Sequence, residues 1–123
     1  MVQVPGLPAG NYLIAVRHRN HLGIKLAAPV FLSDDPILVD FTTDPMMVQG
    51  GLNGIADLGD GFYALISGDF DGNGQVQNTD GTGVTQLLGG SGYVPGDLDL
   101  NGQIQNIDLQ LKLTPNLGKG QQF

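Results

Sequence analysis

Thirteen residues of this chain occur twice. Gly68-Asp69-Phe70-Asp71-Gly72-Asn73-Gly74-Gln75-Val76-Gln77-Asn78-Thr79-Asp80 returns 28 residues later as Gly96-Asp97-Leu98-Asp99-Leu100-Asn101-Gly102-Gln103-Ile104-Gln105-Asn106-Ile107-Asp108, with nine of the 13 positions identical. From the second residue onward each copy reads D-x-D-x-N-G-x-x-x-x-x-D, the spacing of a twelve-residue loop that wraps a hard cation in oxygen atoms. A repeated supersecondary unit of this kind buries its apolar face against its twin. The remainder of the chain must therefore accommodate two linked loops and the turns that follow them.

Each fixed position has a mechanical reason. Positions 1, 3 and 5 (Asp69, Asp71 and Asn73; Asp97, Asp99 and Asn101) alternate, so a curling chain turns their side-chain oxygens inward. Gly74 and Gly102 at position 6 fall where the loop bends sharply and a positive φ is needed. Gln75 and Gln103 at position 7 offer backbone carbonyls, Gln77 and Gln105 at position 9 act through a water, and Asp80 and Asp108 close the shell from the first turn of a following helix. Position 8, Val76 and Ile104, is apolar in both copies and predicts a short antiparallel bridge directly between the two loops across a pseudo-twofold axis. All-oxygen ligands select Ca²⁺ over zinc, copper or iron. The alternative is a pair of Asx-turn hairpins with no ion. Matched carboxylates converging to about 4–6 Å repel unless neutralised, which weighs against it. Two Ca²⁺ ions would move the net charge from −7 to −3 (−7 + 4), and three acidic ligands per loop predict weak binding, with Kd of roughly 10⁻⁵ to 10⁻³ M.

The charge pattern points the same way. Residues 1–33 carry Arg17, Arg19 and Lys25 and no acid (+3); residues 34–111 carry all twelve Asp and no Lys or Arg (−12); Lys112 and Lys119 bring the total to −7. An acidic stretch without counter-charge resists compaction unless a cation, the basic N-terminal segment or a basic partner enters it. Nucleic acid is disfavoured by the sign of that charge. With no Cys there is no disulfide or thiolate metal site, and the apolar runs are strand-length, short of the ~20 residues a membrane helix needs. The start, Met1-Val2-Gln3-Val4-Pro5, shows no secretory signal as written.

Residues 68–114, and the module 68–123 as a whole, resemble a dockerin, the duplicated calcium-loop-plus-helix module of bacterial extracellular proteins. The resemblance rests on the doubled loop and on Asp, rather than the Glu usual in EF-hand loops, at position 12 (Asp80, Asp108). It implies two Ca²⁺ sites, a secreted or cell-surface location, and a protein partner of the cohesin kind reached through loop positions 10 and 11, here Asn78-Thr79 and Asn106-Ile107. The chain departs from that pattern after each loop. Gly81 and Gly83 cost a helix about 1 kcal/mol each relative to Ala, which predicts a short or frayed first helix. Leu109-Gln110-Leu111-Lys112-Leu113 alternates like a strand before Pro115, which predicts a truncated second one.

Residues 1–67 read as a β-rich unit. Strand candidates lie at 11–18, 24–32, 37–42 and 62–66, separated by Pro and Gly. Leu7-Pro8-Ala9-Gly10-Asn11-Tyr12 resembles the tyrosine-corner lead-in to a late strand of an immunoglobulin-like sandwich. About four strands are fewer than the seven such a sandwich wants, so the expected fold is mainly β with short helices: a small sheet or partial immunoglobulin-like sandwich followed by the dockerin-like loop pair. The order resembles the C-terminal regions of large secreted proteins of Bacteroidetes-type bacteria. An incomplete sheet leaves edges open to strand addition.

The other candidates are weaker. Arg17-His18-Arg19-Asn20-His21 lacks the third or fourth ligand of a transition-metal site and reads as a strand end with a solvated turn, facing the acidic half. The Gly-rich stretches at 50–54 and 57–61 lack the Lys-Ser/Thr of a phosphate loop. Asp34, Asp35 and Asp60 could supply a carboxylate pair for hydrolysis, but there is no Glu, no Trp to stack a sugar, and Ser33, Ser67 and Ser91 sit in no nucleophile elbow. The sequence therefore predicts a non-enzymatic, extracellular calcium-binding structural or assembly module. The alternatives are a self-assembling fibre or surface-layer subunit joined by strand addition, and the docking or anchoring tail of a secreted hydrolase.

Overall fold

The apolar stretch at 11–18 does not form one strand. In the computed structural model, which describes residues 2–123, it splits into β1 (Gly10–Tyr12) and β2 (Ala15–Val16), and the chain returns through β3 (Ile24–Lys25) and β4 (Val30–Leu32). β1 pairs with β4 from Gly10↔Leu32 to Tyr12↔Val30, and β2 with β3 through Ala15↔Lys25 and Val16↔Ile24, both antiparallel. Between the two ribbons Leu26 N–H still donates to the Ile14 carbonyl at 2.9 Å, so Leu13 alone opposes Ala27, Ala28 and Pro29. Pro29 has no N–H to give a ladder, and the excess residues bulge out there. The Tyr12 hydroxyl donates to the Pro8 carbonyl at 2.7 Å, fixing the lead-in to β1.

A third ribbon joins β5 (Ala56–Asp57) to β6 (Tyr63–Ala64). Its turn is closed by Asp57 and Asp60, whose carboxylates accept the Gly59 and Phe62 N–H groups. The stretch at 37–42 forms no strand: the Asp40 carboxylate takes both the N–H and the hydroxyl of Thr42, at 2.9 and 2.6 Å, and a local turn replaces the ladder. The outcome is a small mixed fold of short antiparallel ribbons and a few short helices, consistent with a mainly β expectation. Among the described residues, the strands form three two-stranded ribbons and no wider sheet, because strands of two or three residues interrupted by Pro and Gly present too short an edge to recruit another.

Both helices are short. α1 (Asn78–Gln86) runs nine residues despite its glycines. A Cβ at Gly83 would fall on the Phe70 ring, and one at Gly81 would touch Leu109 and Leu113. These glycines let Phe70 and the second loop's helix approach the backbone of α1, so packing outweighs propensity. Gly83→Ala is accordingly expected to destabilise the fold by about 1–3 kcal/mol, overpacking exceeding the gain in propensity; a urea melt showing equal or greater stability would refute this. The segment after the second loop is helical, not extended: a π-helical turn spans Asp108–Leu113 and a 3₁₀ turn follows at Thr114–Asn116. Pro115 cannot donate to Leu111 and its ring would strike that carbonyl in α geometry. The turn widens instead, with the N–H of Thr114 and its hydroxyl both donating to the Leu109 carbonyl.

The two loops do not bridge each other through Val76 and Ile104. Each pairs with the segment that trails the other loop's helix. Ile104 exchanges backbone hydrogen bonds with Gly89 and Gly90, both at 2.9 Å; Val76 exchanges them with Gly118 and Lys119, also at 2.9 Å. Gln103 bridges Ser91 and Gln75 bridges Gly120. The pseudo-symmetric relation is thus a reciprocal exchange of tails, and it leaves the side chains of Val76 and Ile104 free to enter the core.

That core holds Val76, Val84, Leu98, Ile104 and Leu113 together with Leu22 and Ile66. A second cluster, Ile24, Val48 and Ile55, lies under the ribbons. Leu22 and Ile66 come from the β-rich stretch, so residues on either side of position 67 share one apolar centre. Polar ties cross the same seam: Ser67 Oγ donates to the Lys112 carbonyl at 2.7 Å, and Asn116 Nδ2 donates to the Ser67 carbonyl at 2.9 Å.

Candidate metal centres

The loops bring two carboxylate triads together. In each of Asp69–Asp71–Asp80 and Asp97–Asp99–Asp108, one oxygen per residue lies within 4.8 Å of the others. Asp69, Asp80, Asp97 and Asp108 are buried to within 3 % of complete, whereas Asp71 is exposed and Asp99 intermediate. Gly74 and Gly102 both stand at φ 88°, the left-handed bend expected at position 6.

The buried carboxylates are held by backbone N–H groups. Asp80 accepts from Gln77 at 2.7 Å through Oδ2, which caps α1, and from Asp71 at 3.3 Å through Oδ1. Asp108 repeats this, accepting from Gln105 at 2.8 Å through Oδ2 and from Leu98 and Asp99 at 2.7 and 3.0 Å through Oδ1. Position 12 therefore does two jobs: it starts the helix and closes the loop. Asp71 and Asp99 accept from the backbone and amide of Asn73 and Asn101. In turn the Asn73 and Asn101 side-chain oxygens accept the N–H of Gln75 and Gln103 at 2.9 and 2.8 Å. Because the N–H and carbonyl of a strand residue share one edge, the carbonyls of Gln75 and Gln103 face the loop on the side away from their partner segments. Of the ten sequence-derived ligand positions, the structure brings the six Asp carboxylates together in the two triads, with Asn73, Gln75, Asn101 and Gln103 in the stretches between them.

Asp69 is the exception to this satisfaction. Its Oδ2 accepts from Gly74 at 3.1 Å, but Oδ1 is buried without any hydrogen-bond partner. Burial above all, with the Asp80 and Asp71 charges adding to it against the opposing pull of the Gly74 and Asn73 N–H groups, holds its carboxyl above the ordinary value. An unpaired anionic oxygen this deep is costly unless a cation meets it. The donor set, carboxylate and carbonyl oxygen only, fits a hard divalent ion.

The basic cluster is not a solvated turn. Arg19 Nη2 lies 3.8 Å from Asp97 Oδ2 in the one ion pair among the described residues. Asn20, fully buried, donates from Nδ2 to the carbonyls of Pro95 and Asp97 at 2.9 and 2.7 Å. Sequence reading missed Asn20; a lone Asn between charged neighbours carries no signal of such a role. His18 and His21 meet edge to face at 4.7 Å, and His21 Nδ1 pairs with Asn20 Oδ1 at 2.8 Å.

Burial first, then the charges of His18, Arg19 and Lys112, brings the His21 pKa from 6.5 down to about 4. The folded value lies below the unfolded one, so the unfolded chain takes the proton first. The contribution is present above pH 6.5 and is lost as pH falls towards 4. With solvent screening of the half-buried ring, wild type should lose about 1 kcal/mol more than His21→Gln between pH 7 and 5. Parallel urea melts check this, and equal losses in the two proteins would contradict it.

No family model, no curated protein and no solved structure matches the chain.

Proposed function

We propose that this chain is a non-enzymatic calcium-binding structural module in which two dockerin-like loops each take one Ca²⁺ and thereby lock the C-terminal half onto the β-rich segment. The observation that carries the reading is the partnerless, buried Asp69 Oδ1 inside a carboxylate triad that recurs 28 residues later. An ion supplied there neutralises three mutually repelling carboxylates at once. Folding and metal uptake are then linked, because the ligands converge only in the folded chain. Weak oxygen sites suit the millimolar calcium of an extracellular setting, which is where we place the module. The Tyr12–Pro8 hydrogen bond supports reading β1 as the lead-in strand of an immunoglobulin-like sandwich.

The test is a calorimetric Ca²⁺ titration of the full chain. Two ions per chain are expected, and Asp69→Ala combined with Asp97→Ala should abolish both uptake and calcium-dependent thermal stabilisation. A chain that binds no Ca²⁺ at millimolar concentration, or a double variant that keeps the stabilisation, overturns the assignment.

A second reading, self-association by strand addition, is favoured by the open edges of the β1–β4 ribbon, by exposed Phe31 on it and by exposed Leu13 just after β1. Light scattering in millimolar calcium decides it: polymers support it, and a monodisperse monomer rules it out.

A further inference from the structure

The two loops are near copies in sequence, but their surroundings differ in charge. Loop 1 contains the buried, unpaired oxygen of Asp69. At the matching position of loop 2, both oxygens of Asp97 accept backbone N–H groups, from Asn101 and Gly102 at 3.0 Å each, and Oδ2 also faces the Arg19 guanidinium at 3.8 Å. Arg19 is not a loose surface charge. Its side chain is 17 % exposed, its Nε donates to the Val94 carbonyl at 3.4 Å, and its guanidinium lies 3.5 Å from the centre of the Tyr93 ring. Among the described residues, no Lys, Arg or His approaches the loop 1 carboxylates in this way.

We propose that Arg19 acts as a built-in counter-ion for loop 2, making the two calcium sites unequal: loop 1 fills first, and loop 2 fills only against the charge of Arg19. The inference rests on the calcium reading above. The fixed guanidinium already neutralises part of the charge for which an incoming cation competes, and it repels that cation at close range. Even in a well-screened site, a unit charge beside a divalent ion weakens binding by about tenfold. The consequence is a graded response: the N-terminal segment, through one residue, sets the calcium concentration at which the second loop closes.

Calorimetric Ca²⁺ titration of the full-length chain tests this with single-site variants. Asp97→Asn, which leaves loop 1 as the working site, should bind about tenfold more tightly than Asp69→Asn, which leaves loop 2. Arg19→Gln in the wild-type background should tighten the weaker step by about three- to tenfold and leave the tighter step unchanged, while Arg19→Lys, which keeps the charge, should stay near wild type. Equal constants for the two single-site variants, or a shift of the tighter step in Arg19→Gln, overturn the proposal while leaving calcium binding intact. Absence of uptake in wild type overturns the calcium reading and this one with it. Should Arg19→Gln fail to fold by circular dichroism, the pair of Asp→Asn variants decides by itself.

Discussion

Calcium in excess should raise the melting temperature of the chelated chain by roughly 15–20 °C. An ion present at about 100 times its Kd stabilises the folded state by about 2.7 kcal/mol, so two sites supply about 5 kcal/mol. In a domain of this size each kcal/mol moves the midpoint by about 4 °C. The effect has a defined pH dependence. In chelator, Asp69 has a folded pKa raised above 3.8, so its contribution to stability is greatest below 3.8 and is lost as pH rises through the folded value. Bound calcium requires the ionised carboxylate and reverses that preference. The gap between the calcium and chelator melting curves should therefore narrow as pH is lowered from 7 towards 4. Differential scanning calorimetry with calcium and with chelator at several pH values measures it. A gap that is absent at pH 7, or that widens in acid, would count against the sites.

The second large effect lies away from the carboxylates. Asn20→Ala should destabilise the chain by about 2–4 kcal/mol, because it deletes two hydrogen bonds from a fully buried amide and leaves the Pro95 and Asp97 carbonyls unsatisfied. It also removes the side chain that holds the start of loop 2 against the β-rich segment, while the backbone bond from Gly68 N–H, at the start of loop 1, to the Asn20 carbonyl at 3.1 Å is kept. The loss should therefore persist in saturating calcium, which distinguishes a structural tie from a metal-linked one. Chemical denaturation with and without calcium reads this directly; a loss that calcium fully restores would place Asn20 in the metal-linked network instead.

The loop chemistry was legible because it is local. Positions 1, 3, 6 and 12 converge through the turn preferences of a dozen consecutive residues, and the positive φ of Gly74 and Gly102 follows from the same short stretch. That the helices are short is legible in the sequence, but what holds them is not, because propensity carries no information on the partner surface. Gly81 and Gly83 look like helix breakers until Phe70, Leu109 and Leu113 occupy the space they leave. Leu109 to Leu113 alternates like a strand, yet the capping carboxylate of Asp108 and the obstruction at Pro115 set a widened helical turn. The stretch at 37–42 was lost to a two-residue bond between Asp40 and Thr42. Hydrophobic periodicity is blind to such a competitor.

From residue order alone came the two oxygen-lined loops, the absence of thiol chemistry, the separation of positive and negative segments, and a β-rich start. Only the tertiary arrangement decided that each loop pairs with the other's trailing segment, that Leu22 and Ile66 complete the core of the loop module, and that Arg19 and Asn20 reach loop 2 from about 75 residues away. The division has one physical cause. Ligand spacing is written in bonds between near neighbours, whereas the burial that strips a carboxylate of water, and the charge that answers it, depend on which distant segments share its space.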